Sequence, residues 1–248
     1  MKQKHAIPNQ QERSDQTRRK ILDAAISEFS THGLAGARTD AIAQSAKVNK
    51  ALLYYYFKNK DSLYTATIED VMGTVVKTTL AILEHECSPG EQLLRLALNH
   101  FDRILTQQNF QSLMQQEMVR FQAGKSTALP IIARMAFTPL LKKIREIVHR
   151  GVRTGELLPI DWMQVLYSSF GANAFYFLSA PMTRMALADE SFEPFAVSAI
   201  TTRRKSAIKF LGNALFVDRV HGANLARRVL ASMPVPEIKV HSVWRKTL

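Results

Sequence analysis

The stretch from Arg38 to Lys60, RTDAIAQSAKVNKALLYYYFKNK, constrains the fold of this chain more than any other. Its pattern predicts two short helices joined by a tight turn. Thr39 is expected to cap the first helix, whose buried side is Ile42 and Ala43, with Val48 in the turn. Asn49 is expected to cap the second by accepting from the free N–H groups of its first turn. Leu53 and Phe57, four apart, share the inward face of that helix. Lys50, Ala51, Leu52, Tyr54 and Tyr55 are left to point elsewhere. The pair reads as a helix-turn-helix whose second helix has the size and chemistry to lie in a major groove.

Charge points the same way. The chain carries a net charge of +12 over 248 residues, unevenly spread: residues 1–60 hold 11 Lys and Arg against 5 Asp and Glu, residues 61–248 hold 22 against 16. Basic density therefore peaks at the helix-turn-helix, where it favours a polyanionic partner. A hydrophobic fraction of 46% with only 10 Gly and 9 Pro fits a mostly helical chain with a sizeable core. The single cysteine, Cys87, excludes an intramolecular disulfide and a multi-cysteine metal site, and fits a reducing cytoplasm. The start, MKQKHAIPNQQER, lacks the apolar segment of a secretory signal.

Catalytic patterns are missing from the sequence. It has no Gly-rich phosphate loop, no His-Glu-x-x-His, no nucleophile elbow and no Cys/His cluster. The enzyme class is set aside, and no cofactor or metal is implied. Residues 162–183 are uncharged and long enough to span a bilayer. They include Gln164, Ser168, Ser169, Asn173, Ser179 and Pro181, however, so a buried helix at a subunit interface is expected rather than a membrane segment.

Taken in order, residues 1–14 read as a disordered arm with Lys2, Lys4 and Arg13 as basic groups. Residues 15–60 make the helix-turn-helix domain: a first helix from Asp15 with Ile21, Leu22, Ala25 and Phe29 inward and Gly33 as its stop, then the pair above. Asp61 opens a long helix running to about His85, a lever attached to the second helix of the pair. Ser88-Pro89 opens another, in which Leu94, Ala97, Leu98, Phe101, Ile104 and Leu105 form one stripe. Asn109 is expected to cap a helix with Phe110, Leu113, Met114, Met118 and Phe121 on one face and a carboxylate, Glu117, in their midst. A helix over about Pro130 to Arg153, bent at Pro139, precedes the uncharged helix capped by Asp161 and a last major helix carrying Ile208, Leu211 and Leu215. Residues 61–221 form the larger carboxy-terminal domain, and 222–248 a basic tail with Trp244. The fold class expected is all-α.

Residues 18–64, RRKILDAAISEFSTHGLAGARTDAIAQSAKVNKALLYYYFKNKDSLY, resemble the DNA-binding domain of the TetR/AcrR family of bacterial transcriptional regulators. The aromatic run followed by Lys-Asn-Lys-Asp is its most specific part. Two positions depart from the pattern. Lys47 stands in the turn where the family usually has Gly, a strained choice if that residue is left-handed, and Ala51 replaces another frequent Gly. The resemblance implies an amino-terminal three-helix DNA-binding domain and a larger helical ligand-binding and dimerisation domain. It implies Lys50, Ala51, Leu52 and Tyr55 as groove-facing, with Lys50 the one long donor for guanine acceptors. Thr39, Tyr54 and Lys60 are the expected phosphate contacts, with Arg38 and Lys58 beside them.

In proteins of this kind two such units are held at fixed spacing by a symmetric dimer, which reads a palindromic operator on double-stranded DNA. The resemblance places the dimer on helices at about 161–180 and 201–219, with Leu166, Phe170, Ala174, Ile208, Leu211 and Leu215 as candidates. It also implies an effector cavity among the middle helices. His100, Glu117 and Asn173 are polar groups on otherwise apolar faces, and Phe101, Met114, Met118, Phe121, Phe137 and Trp162 are candidate walls. A buried Glu117 needs a partner from elsewhere in the fold. Mostly apolar walls imply a mostly apolar small molecule, of unknown identity. The expected function is a cytoplasmic, effector-released repressor; the alternative is an architectural, weakly specific DNA-binding protein without an effector.

Overall fold

A computed structural model describes residues 9–84, 86–126, 128–190 and 192–237. Lys2, Lys4 and Trp244 lie outside these residues, as do 1–8 of the expected arm and 238–248 of the expected tail. The described residues are helical, and their one β contact is an isolated antiparallel bridge between Leu157 and Phe216.

The chain divides into two compact units at points other than residue 61. The first comprises Met1–Val75 and Asn109–Ala136, the second Val76–Gln108 and Phe137–Leu248.

In the first unit, α1 (Gln10–Gly36) starts five residues before the expected Asp15. Asn9 accepts from the Glu12 amide while the Glu12 carboxylate accepts from the Asn9 amide, at 2.8 and 2.7 Å, a reciprocal capping box. Arg13 therefore lies in a helix, not in an arm. Gly33, with φ of 67°, does break the helix, but a further turn follows it to Gly36. α2 (Thr39–Ser45) and α3 (Lys50–Phe57) fold against α1 over Ile21, Leu22, Ala25, Phe29, Ile42, Leu53 and Phe57, all buried. Asn59 accepts from Ser62 N and opens α4 (Lys60–Leu83). Arg19 forks onto both oxygens of Asp70 at 2.8 and 2.9 Å, tying α1 to α4. α6 (Gln108–Gln122) and the short α7 (Leu129–Ile132) complete the unit. Asn109 is not the cap of α6: its Oδ1 accepts from Ser30 Oγ on α1.

The second unit is built on α5 (Pro89–Thr106), which Ser88 caps with Pro89 in the first turn. Around it pack α8 (Thr138–Arg153), α9 (Trp162–Leu166), α10 (Ala172–Ala186), α11 (Val197–Ala214) and α12 (Arg219–Ser232). A π-helical turn, Ala133–Phe137, leads into α8 just before Pro139, and another, Tyr167–Gly171, joins α9 to α10. Asp161 caps α9 through Met163 N and Gln164 N. The core joins Leu94, Leu98, Ile147, Val148, Leu157, Leu166, Ile208, Leu211, Phe216, Leu225 and Val229.

The last of these corrects the expectation of a tail from Gly222. Asp218 caps α12, and Gly222, Leu225, Ala226 and Val229 are buried. Gly222 is there because α11 and α12 touch: a Cβ on it would lie 2.0 Å from the carbonyl oxygen of Gly212. Arg204, 2% exposed, forks onto Asp102 at 2.7 and 2.8 Å and also donates to the carbonyls of Met233 and Pro234. No helix among the described residues is long and apolar enough to cross a membrane.

Candidate functional site

The α2–α3 pair is set by its turn. Val48 N reaches back to Ala43 O and Lys47 N to Gln44 O, which forces Lys47 to φ of 56°. Asn49 then accepts from Leu52 N at 2.7 Å and starts α3. Lys58 ends it with φ of 59°, so a strained lysine stands at each end. Thr39 is the first residue of α2 rather than its cap: its Oγ1 shares a 3.2 Å hydrogen bond with the Tyr54 hydroxyl, fastening α2 to α3.

With Leu53 and Phe57 buried, α3 presents Lys50, Ala51 and Tyr55 to solvent, and Tyr55 is 80% exposed. Leu52 and Tyr54 are half-buried beside them, and Arg38 and Lys58 are exposed. Lys60 is half-buried, with Nζ donating to Ala35 O. Tyr56 is half-buried and shares a hydrogen bond with Ser14. Lys50 is already engaged: Nζ lies 2.9 Å from Asp40 Oδ1 and 3.1 Å from Oδ2. That hydrogen bond raises the ammonium above its usual range and keeps it charged. The Asp40 pairing was not anticipated, because ten residues separate the partners and no helical spacing links them.

The candidate ligand residues are divided between the two units. Met114, Glu117, Met118 and Phe121 belong to the first unit, whereas His100, Phe101, Phe137, Trp162 and Asn173 belong to the second. Met118, Phe121 and Phe137 are exposed rather than lining an interior. Glu117 is buried and fully engaged. Tyr64 OH donates to it at 2.6 Å and Ser126 Oγ at 2.5 Å, and Arg120 Nε lies 2.9 Å away. Burial and this carboxylate hold the Tyr64 phenol protonated, well above its usual range. These contacts give Glu117 a structural role within the first unit.

In the second unit, Phe101 is core and Trp162 packs against the core's edge. Asn173 is buried and donates to Ala97 O at 3.1 Å. His100 differs from them. Its ring stacks on Phe170 at 4.1 Å with the planes 4° apart, and its Nδ1 is buried without a hydrogen-bond partner among the described residues. Burial and the neighbouring Arg103 push its pKa down to about 3, so the imidazole is neutral.

Of the candidate dimer residues, Leu166, Ile208, Leu211 and Leu215 lie in the core of the second unit itself. Phe170 is half-buried against His100, and only Ala174 is exposed. The free apolar face of α10 is a different line: Phe175, Leu178, Met182 and Met185, each at least 64% exposed. Their spacing of 3, 4 and 3 residues places them on one side of the helix. Phe210 on α11 and Val217 beyond it are exposed as well.

Residues 21–67 match the model of the bacterial regulatory proteins, tetR family. The HTH-type transcriptional repressor SCO4008 of Streptomyces coelicolor is 46% identical over 56 residues, which is 23% of this chain and 29% of that protein. The chain thus spans less than a third of that curated relative. SCO4942 of the same organism, described as a candidate transcriptional regulator, has a solved structure that superposes with a TM-score of 0.54 at 27% identity. That superposition covers 89% of this chain and 99% of the other. The transcriptional regulator FadR of Bacillus subtilis, solved with stearoyl-CoA, shares the fold at a TM-score of 0.57 and 19% identity, covering 78% and 96%.

Proposed function

Since the chain belongs to the TetR family of bacterial regulatory proteins, we propose that it is a transcriptional repressor, not an enzyme, which binds a palindromic operator as a symmetric dimer in the cytoplasm and leaves it when a small molecule binds. The observation that carries this reading is the solvent-facing edge of α3, where Lys50, Ala51 and Tyr55 stand clear of the core and Leu52 lies half-buried beside them. Such an edge suits base contacts, while Thr39, Tyr54, Lys60, Arg38 and Lys58 flank it as phosphate contacts.

One unit of this kind meets only a half-site, so sequence choice requires two at fixed spacing. The line Phe175, Leu178, Met182 and Met185, with Phe210, supports α10 and α11 as the place where a second copy packs. Effector control draws support from a fold shared with a regulator solved with a bound acyl-CoA. A ligand of this protein acts only through its different affinity for the DNA-competent and incompetent conformers.

Selection from a random duplex pool tests the reading. An enriched inverted repeat supports it. An unenriched pool bound with steep salt dependence favours instead an architectural protein that contacts phosphates alone.

A further inference from the structure

Arg103 is a buried cation without a counter-charge. Its residue is 9% exposed, yet no aspartate or glutamate among the described residues pairs with it. The adjacent carboxylate, Asp102, is taken by Arg204. The partners Arg103 does have are neutral: Thr79 Oγ1 at 2.8 Å and Asn99 Oδ1 at 2.5 Å, both on Nη2. Nε and Nη1 form no hydrogen bond with a described residue. A guanidinium has five N–H donors and does not lose its charge by deprotonation in a protein. Burial lowers its pKa only to about 10, so it remains a cation at neutral pH.

One helical turn away, on the same side of α5, stands His100 with its orphan Nδ1. A mostly buried guanidinium without a counter-charge and, one turn away, a buried imidazole nitrogen without a partner are unfavourable together unless something binds them. Phe170, stacked flat on His100, belongs to the π-helical turn Tyr167–Gly171. Such turns recur at functional sites, where they shift a side chain off the regular helical spacing.

We propose that Arg103 and His100, backed by Thr79, Asn99 and Phe170, receive the carboxylate of a small organic monoanion, so that the effector is an acid rather than a neutral apolar compound. This rests on the reading of the chain as an effector-controlled regulator. A single guanidinium among neutral partners matches one negative charge, and Nε and Nη1 are left to donate to it, since Nη2 is taken by Thr79 and Asn99. The neutral imidazole donates from Nδ1 to the same group, its tautomer set by the ligand. The stacked aromatic suits an apolar body behind the carboxylate.

The test is calorimetric titration of the full-length protein with octanoate and benzoate, against octanamide, benzamide and octyl phosphate. At least one acid is expected to bind ten or more times more tightly than its amide, and Arg103→Met to abolish that preference in a protein whose circular dichroism is unchanged. If Arg103→Met does not fold, Arg103→Lys, which keeps the charge but not the guanidinium's spread of donors, is expected to weaken the acid while retaining some preference over the amide. Failure of both acids to outbind their amides, preference for octyl phosphate, or an acid preference that survives Arg103→Met each overturns the proposal. The two readings fail separately. Arg103-dependent acid binding that leaves operator affinity unchanged would remove the effector role alone. Operator release by a neutral compound, with no acid binding, would remove the carboxylate site alone.

Discussion

Lys50 Nζ lies 2.9 Å from the Asp40 carboxylate, so the long donor on the exposed edge of α3 is bridged to α2 before any DNA arrives. An exposed pair of this kind, screened by solvent, contributes little to stability. Giving it up on binding weakens the complex by at most about fivefold. Asp40→Asn is therefore expected to raise operator affinity severalfold, with the melting temperature nearly unchanged, as fluorescence anisotropy at fixed salt would report. Lys50→Ala is expected to weaken the selected operator by about tenfold or more and relax discrimination at one base pair. Equal weakening on all duplexes would make Lys50 a phosphate contact instead.

Lys47 has φ of 56°, where an L-residue is strained by about 1–2 kcal/mol and glycine is not. Glycine loses more backbone entropy on folding, which offsets part of the gain. Lys47→Gly is expected to stabilise the protein by about 0.5–1 kcal/mol in urea denaturation. The opposite sign would mean that the Lys47 side chain contributes more than its backbone strain costs.

How far the sequence revealed these features depends on how local they are. Asn49, Ser88 with Pro89, and Asp161 act as caps as their positions suggest, because a cap is decided within four residues. The Asn9–Glu12 box is equally local, and went unread because the segment after Pro8 carries no apolar stripe to announce a helix. α5 shows the limit of periodicity. Its stripe from Leu94 to Leu105 is buried as expected, but so is the opposite line of Gln92, Leu96 and Arg103. A helix packed on both sides displays only its apolar side in sequence, so nothing in the pattern marks Arg103 as buried. Which apolar faces of α9 to α11 meet the chain's own core was likewise hidden. Leu166 and Phe175 look alike in a pattern, and only tertiary packing separates them.

His100 is held neutral, with its pKa pushed down to about 3 by burial and by Arg103, whereas an unfolded histidine titrates near pH 6.5. Between these values the unfolded chain binds a proton that the folded one refuses. Stability is therefore undiminished above about pH 6.5 and falls as the pH drops below it. His100→Phe is expected to flatten the decline of the melting temperature between about pH 6.5 and 5, a window above most carboxylate titration. An unchanged slope would mean that other groups govern it.

Gly222 faces the Gly212 carbonyl with no room for a methyl group. The obstacle is backbone, which cannot rotate aside as a side chain can. Gly222→Ala is expected to separate α11 from α12 and destabilise the fold by about 3 kcal/mol or more, at the upper end of overpacking effects. Gly155→Ala, where a Cβ meets nothing but φ is 74°, is the control for strain without overlap, and its loss is expected to be about 1–2 kcal/mol.

Leu178 sits in the middle of the exposed line on α10 at 64% exposure, so its side chain adds little to the core of its own subunit. Burying it against a second copy would contribute about 1.5–3 kcal/mol on each side of a twofold interface. Leu178→Glu would place like charges across that axis and leave two carboxylates to be desolvated. Sedimentation is expected to show a dimer for the native chain and a monomer for the variant, with helical content unchanged. Operator affinity is expected to fall more than tenfold, because each monomer holds one half-site. A variant that stays dimeric would move the interface off α10, and a dimer that dissociates without weakening the complex would remove the twofold from recognition.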